Sequence, residues 1–151
     1  MKWLIWNMKK SILILFGLLL LISCKENKKS KLAESQINET ELIVQKILDL
    51  PRLQWIYHPE APERIPVKVL ETAQIEKDLS LNKFGKKVRI MSRAELTNKG
   101  IKDFVEFDRL TIDNDTANFG LHYKVEGAGC AGRLLKVNGE WIVLDYSVWE
   151  N

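Results

Sequence analysis

Phe119-Gly-Leu-His-Tyr-Lys-Val125-Glu-Gly127-Ala-Gly-Cys130-Ala-Gly132-Arg-Leu-Leu135-Lys-Val137-Asn-Gly139-Glu-Trp-Ile142-Val-Leu144-Asp-Tyr146-Ser-Val148 is the stretch from which the fold is read. Apolar side chains alternate at Phe119, Leu121, Tyr123 and Val125, again at Leu135 and Val137, and again at Ile142, Leu144, Tyr146 and Val148. A period of two marks strands with one buried face, so the stretch predicts a three-strand antiparallel meander. Gly127 to Gly132 reads as its first turn. Asn138-Gly139 reads as its second, because both central residues of a type I′ turn need positive φ. That hairpin pairs Val137 with Glu140 and Leu135 with Ile142. Continuing the apolar face then sets Tyr123 opposite Leu135, since a one-residue slip would turn it outward.

The same register puts His122, Lys136 and Trp141 in one row on the opposite face, with Lys124, Leu134 and Val143 beside it and Asp145 beyond. A face that meets only water does not usually carry Trp141, Leu134, Val143 and Trp149. Either a second layer covers it or the sheet curls into a half-apolar cleft. His122, Lys136, Trp141 and Asp145 are therefore the candidate binding face, with His122 the best single candidate because it lies beside Trp141.

Upstream, Asn38-Glu-Thr-Glu41 has capping-box spacing, and Leu42, Ile43, Ile47, Leu48 and Leu50 follow at helical intervals until Pro51, predicting a helix over 39–50. Four prolines from Pro51 to Pro66 forbid regular ladders and make an irregular crossing, in which Trp55, Ile56 and Tyr57 read as packing anchors. Val67–Leu70 and Val88–Met91 read as short strands with a short helix near Ala73–Leu79 between them. Ser92-Arg-Ala-Glu95 repeats the capping-box pattern and predicts about one helical turn before Gly100. A strand over Ile101–Ile112 changes apolar parity between Phe107 and Leu110, which predicts a bulge near Asp108-Arg109. Helix, broken strands and a long sheet ending in a Gly-rich turn and Asn138-Gly-Glu-Trp141 resemble, over about residues 40–149, the cystatin-like, nuclear-transport-factor-2-like α+β cone. The resemblance implies an α+β domain whose N-terminal helix packs on a curved antiparallel sheet of about five or six strands. That family holds enzymes, small-molecule binders and interaction domains, so it does not settle function.

Lys9 and Lys10 precede an unbroken apolar run, Ile12–Ile22. As a helix it would reach roughly 17 Å, short of the ~30 Å hydrocarbon core, so it reads as an export signal rather than a span. Met8 offers an alternative start that would leave Met-Lys-Lys before the run. Leu21-Ile-Ser23-Cys24 resembles the lipobox of bacterial lipoproteins. The resemblance implies cleavage between Ser23 and Cys24, diacylglycerol on the Cys24 thiol and acylation of its new amino group. More than one acyl chain anchors a protein stably to a membrane without crossing it. Residues 25–37 are polar and lysine-rich and read as a solvated tether. The expected organisation is a signal peptide over 1–23, a tether over 24–37 and one domain over 38–151. In the family's sorting logic, the absence of Asp after Cys24 favours the outer membrane of a Gram-negative cell envelope. The Lys25-Glu26 pair resembles export signals of surface lipoproteins of Bacteroidota, so the domain would face either the periplasm or the surface.

A charged fraction of 28% and a hydrophobic fraction of 46% fit a globular domain and exclude a disordered or multi-span chain. The net charge of +3 arises from Lys2, Lys9 and Lys10, and the chain beyond residue 23 balances 20 basic against 20 acidic residues. That balance argues against nucleic acid as a partner. With Cys24 assigned to lipid, Cys130 is left alone and no internal disulfide is expected. A Cys130-His122-Asp145 nucleophile set matches no family spacing. Gly127, Gly129 and Gly132 join strands and open no helix, so they do not read as a phosphate cradle. Asp113-Asn-Asp115 lacks the ligand count of a calcium loop, and His58 and His122 are too few for a zinc site. No cofactor or metal is expected. The leading expectation is a lipid-anchored envelope protein with a non-catalytic domain that binds a protein or small ligand. One alternative is an enzyme of the cone-shaped type using His122 and Asp145 as an acid–base pair. Another is an envelope immunity or inhibitor lipoprotein acting through exposed loops such as Trp55–Pro62.

Overall fold

The structure, a computed structural model, describes residues 39–150. The expected signal peptide, the lipobox and the tether lie outside the described residues. Residues 39–48 are helical (α1), and Ile43, Val44, Ile47 and Leu48 on one side of it are fully buried. Pro51 ends the regular helix, since it has no N–H to continue the ladder. The chain then crosses in three short 3-10 turns, Pro51–Leu53, Trp55–Tyr57 and Pro62–Arg64. Leu53, Ile56 and Tyr57 from this crossing are fully buried, whereas Trp55 is exposed.

Eight strands follow: β1 Lys68–Leu70, β2 Asn82–Lys83, β3 Lys86–Lys87, β4 Arg89–Met91, β5 Val105–Asp113, β6 Thr116–Tyr123, β7 Ala128–Val137 and β8 Glu140–Glu150. A helix, α2 over Arg93–Asn98, joins β4 to β5. The fold is mixed α+β, with a six-stranded sheet in the order β4-β1-β5-β6-β7-β8 and a separate β2-β3 hairpin. The sheet is not wholly antiparallel as expected, because β1 runs parallel to both β4 and β5. Ser92 and Glu95 close the capping box that starts α2, each side chain bonding the other's backbone N–H.

No helix forms at Ala73–Leu79, the one expected between the short strands. There the Thr72 hydroxyl accepts the Ile75 N–H and competes with helical bonding, while Ile75 and Leu79 bury from irregular backbone. Val105, Phe107, Phe119, Leu121 and Trp141 share one core with α1 and the crossing segment. Leu70, Met91 and Leu96 form a smaller core on the other side of β1. Among the described residues, the buried members of both cores lie between Ile43 and Trp141.

The expected bulge lies between Phe107 and Arg109, and Asn138-Gly139 makes the β7-β8 turn with both residues at positive φ. The Gly-rich run requires a correction. Ala128 to Val137 is a strand, and the reversal before it occupies Lys124–Glu126 and Gly127, whose φ is +64°. Tyr123 accordingly faces Ala128, and Leu135 faces Thr116. Gly129 and Gly132 sit in strand interior because large groups lie over them. A Cβ on Gly129 would come within 2.4 Å of the Trp149 ring, and one on Gly132 within 2.4 Å of the Asp145 carbonyl oxygen. A second register shift, between Arg133 and Leu134, leaves Leu144 without a partner on β7. Together these features reverse the expected face at the hairpin end. Leu134 and Trp141 are buried, while Val137, Ile142 and Leu144 are exposed.

Candidate functional site

The candidate residues separate into three places. His122 faces Gly129, which faces Trp149, so its neighbour on β7 lies seven positions from the expected Lys136. Its Nε2 is 3.1 Å from Asp108 Oδ2, and its ring meets the edge of Trp149 with centroids 6.0 Å apart. Lys136 does stand opposite Trp141, but on the inner face. The Lys136 ammonium lies 5.6 Å from the Trp141 ring centroid, and Glu39 accepts from both Lys136 Nζ and the indole N–H. Asp145 faces Arg133 and accepts from its Nε at 3.0 Å and from its terminal nitrogen. That pair holds the Arg133 guanidinium above its usual pKa. Four ladder positions separate the His122 and Asp145 rows, about 13 Å at strand spacing, so the geometry does not bring the pair together. Asp108 is the acid beside His122, and it is exposed. Sequence reasoning located Asp108 only as a bulge, although a bulge is a place where strands re-aim side chains.

The prolines of the crossing segment present a second cluster that the sequence does not announce. Arg64 reaches Asp103 at 3.3 Å and Glu126 at 2.7 Å, and Lys68, almost wholly buried, reaches Asp103 at 2.8 Å. Tyr123 donates its hydroxyl to Asp103, and Arg64 lies over the Tyr123 ring at 5.9 Å. His58, at a left-handed φ of 46°, bridges Glu60 and Glu126. Its imidazole is raised above its usual pKa by the Glu60 hydrogen bond first and by Glu126 after it. Each cation here has a carboxylate and each carboxylate a cation, so the cluster ties the crossing segment to β1, to the loop that leads into β5 and to the β6-β7 turn. Apart from His58 and Glu60, its partners lie 20 to 68 positions apart in sequence and meet only through tertiary structure, which is why no local motif signals it.

Cys130 is fully buried, on the inner face opposite Leu121, whereas His122 turns to the outer face. Burial pushes its thiol up to about 11, away from the thiolate a nucleophile needs. Tyr57 buries its hydroxyl with no hydrogen-bond partner among the described residues, and burial raises its pKa. Asp113, Asn114 and Asp115 form the β5-β6 turn, with Asn114 at positive φ. Among the described residues, no three His, Cys, Asp or Glu side chains converge as metal ligands would.

What remains distinctive is β8. It forms one edge of the sheet over eleven residues, with no strand beyond it among the described residues. Ile142, Val143, Leu144 and Trp149 are exposed along it, at 36% to 54% of their surface. Edge strands are usually protected by proline or lysine, and β8 contains neither. Comparison with protein-family models, curated proteins and solved structures finds no match.

Proposed function

We propose that this is a lipid-anchored cell-envelope protein, held to the outer membrane through Cys24, whose domain is a non-catalytic interaction module. Its partner contributes an extended strand to β8. The observation that supports this reading most is the eleven-residue edge of β8 with Ile142, Val143 and Leu144 exposed and with neither proline nor lysine in it. The charged residues of β8, Glu140, Asp145 and Glu150, are all acidic, so a partner strand with Lys or Arg at its ends complements it better than a second copy of β8 would. The bulges at Asp108 and Leu144 lend support to a curled, cone-like sheet.

Two measurements test the proposal. Metabolic labelling with a palmitate analogue should mark the wild type and not Cys24→Ser, and equal labelling would remove the anchor. A photo-crosslinking residue at position 144 in intact cells should give a discrete adduct that Ile142→Lys suppresses, while the same residue at position 99 gives none. Absence of an adduct at 144, or equal adducts at both positions, would refute the edge as the site.

A further inference from the structure

Between Asp78 and Glu95 the chain carries five cations, Lys83, Lys86, Lys87, Arg89 and Arg93, and no acidic residue. Two are neutralised, Lys83 by Asp49 at 2.6 Å and Arg93 by Glu106. Lys86, Lys87 and Arg89 are exposed and form no ion pair among the described residues. Lys86 and Lys87 follow the β2-β3 turn and Arg89 opens β4 just beyond it; the tip of the turn is Phe84-Gly85, with both φ angles positive, 51° and 69°. Phenylalanine is a poor choice for that position, where Asn or Gly costs least and where the β7-β8 hairpin does use Asn. Phe84 nevertheless leaves 38% of its surface exposed. Its packing against Tyr57, with centroids 5.9 Å apart, and against Lys83 keeps the ring at the tip.

We propose that the β2-β3 hairpin is a contact site for an anionic lipid surface, with Lys86, Lys87 and Arg89 on the headgroups and the Phe84 ring at the interface. Aromatic rings favour the headgroup level, and basic side chains near an anionic leaflet each add attraction that salt screens. A long polyanion fits less well. From residue 38 onward the chain has 16 basic and 18 acidic residues, and the basic residues crowd together without acidic neighbours only between Asp78 and Glu95 rather than along a track. The site is independent of Cys24 and of β8.

The test uses residues 38–151, a compact unit that holds the described core residues. Cosedimentation with vesicles of equal phosphatidylglycerol and phosphatidylcholine, at about 0.1 M salt, should show partitioning at least tenfold stronger than with phosphatidylcholine alone, and about 0.5 M salt should abolish the difference. Lys86→Glu with Lys87→Glu should bring binding down to the phosphatidylcholine level. Lys99→Glu with Lys102→Glu, the same charge change at exposed positions outside the hairpin, should leave it unchanged. Phe84→Asn, which suits the turn, should weaken binding severalfold with the circular dichroism spectrum intact. Equal partitioning into both vesicles, or equal loss from the two charge-reversed pairs, overturns the proposal.

Discussion

Replacing Gly132 by alanine should destabilise the domain even though the backbone there would accept a side chain. Gly132 has no positive φ, so the substitution by itself would stabilise by about 0.4–1 kcal/mol through the unfolded chain. The added Cβ would lie 2.4 Å from the Asp145 carbonyl oxygen, 2.6 Å from Tyr146 Cβ and 2.9 Å from the Phe119 ring, all inside the 3.0 Å that Cβ atoms respect. Two of these neighbours belong to the backbone or the first side-chain carbon of β8, beside its bulge, and cannot swing aside. Overpacking of this kind costs about 1–3 kcal/mol, and three simultaneous contacts put it at the upper end, for a net loss of about 2 kcal/mol. With a urea slope of roughly 1–3 kcal/mol/M, the unfolding midpoint should fall by about 1 M. Gly129→Ala is the matched control, because its close neighbours are all atoms of the Trp149 ring, a part-exposed side chain on the edge strand that can turn outward. It should cost less than about 1 kcal/mol. Urea denaturation followed by circular dichroism decides the matter. A Gly132→Ala midpoint at or above wild type, or a larger drop for Gly129→Ala, would refute the steric reading of the Gly-rich strand.

Asp103→Ala removes the carboxylate shared by Arg64, Lys68 and Tyr123 and leaves the buried Lys68 ammonium with only the Glu63 carbonyl, so stability should fall by about 3 kcal/mol. An unchanged melting temperature would contradict that pairing. Because the folded His58 pKa is raised, the advantage of wild type over His58→Gln should be full below about pH 6.5 and fade as pH climbs through the folded value. Melting curves from pH 5 to 9 check the sign, and an advantage that grows with pH would reverse it. Cys130, buried and with its thiol pushed up to about 11, should react with an aromatic disulfide reagent at pH 8 only as fast as the protein opens. Labelling within seconds in native buffer would contradict its burial.

Elements announced by local chemistry were legible in the sequence. Asn138-Gly139 predicted its turn and the pairings nearest it, the Ser92-Glu95 box predicted α2, and the parity change at Phe107 predicted the bulge. Reading failed where the deciding contact was distant. Gly129 and Gly132 look like turn residues until Trp149 and the Asp145 carbonyl are seen lying over them. That error moved the partner of His122 by seven residues, and the Leu144 bulge separated Asp145 from it further. Of the proposed face, the Lys136-Trp141 and Leu134-Val143 pairings were anticipated, because they sit within a few residues of the turn that sets their register. The β2-β3 hairpin was missed because its strands are two residues long, too short for alternation to register.

The parallel placement of β1 also bears on the order of assembly. From β5 to β8 each strand pairs with the next through a short reversal, so those contacts close small loops and cost little chain entropy. β1 is three residues long and must meet Arg89–Met91 on one side and Val105 on the other, after loops of some twenty to thirty-five residues have closed. The β5-β8 meander is therefore expected to form first, and β1 to dock late onto β5, bringing β4 with it as the outer strand. Val69→Ala, in the middle of β1, should accelerate unfolding while leaving the folding rate close to that of the wild type.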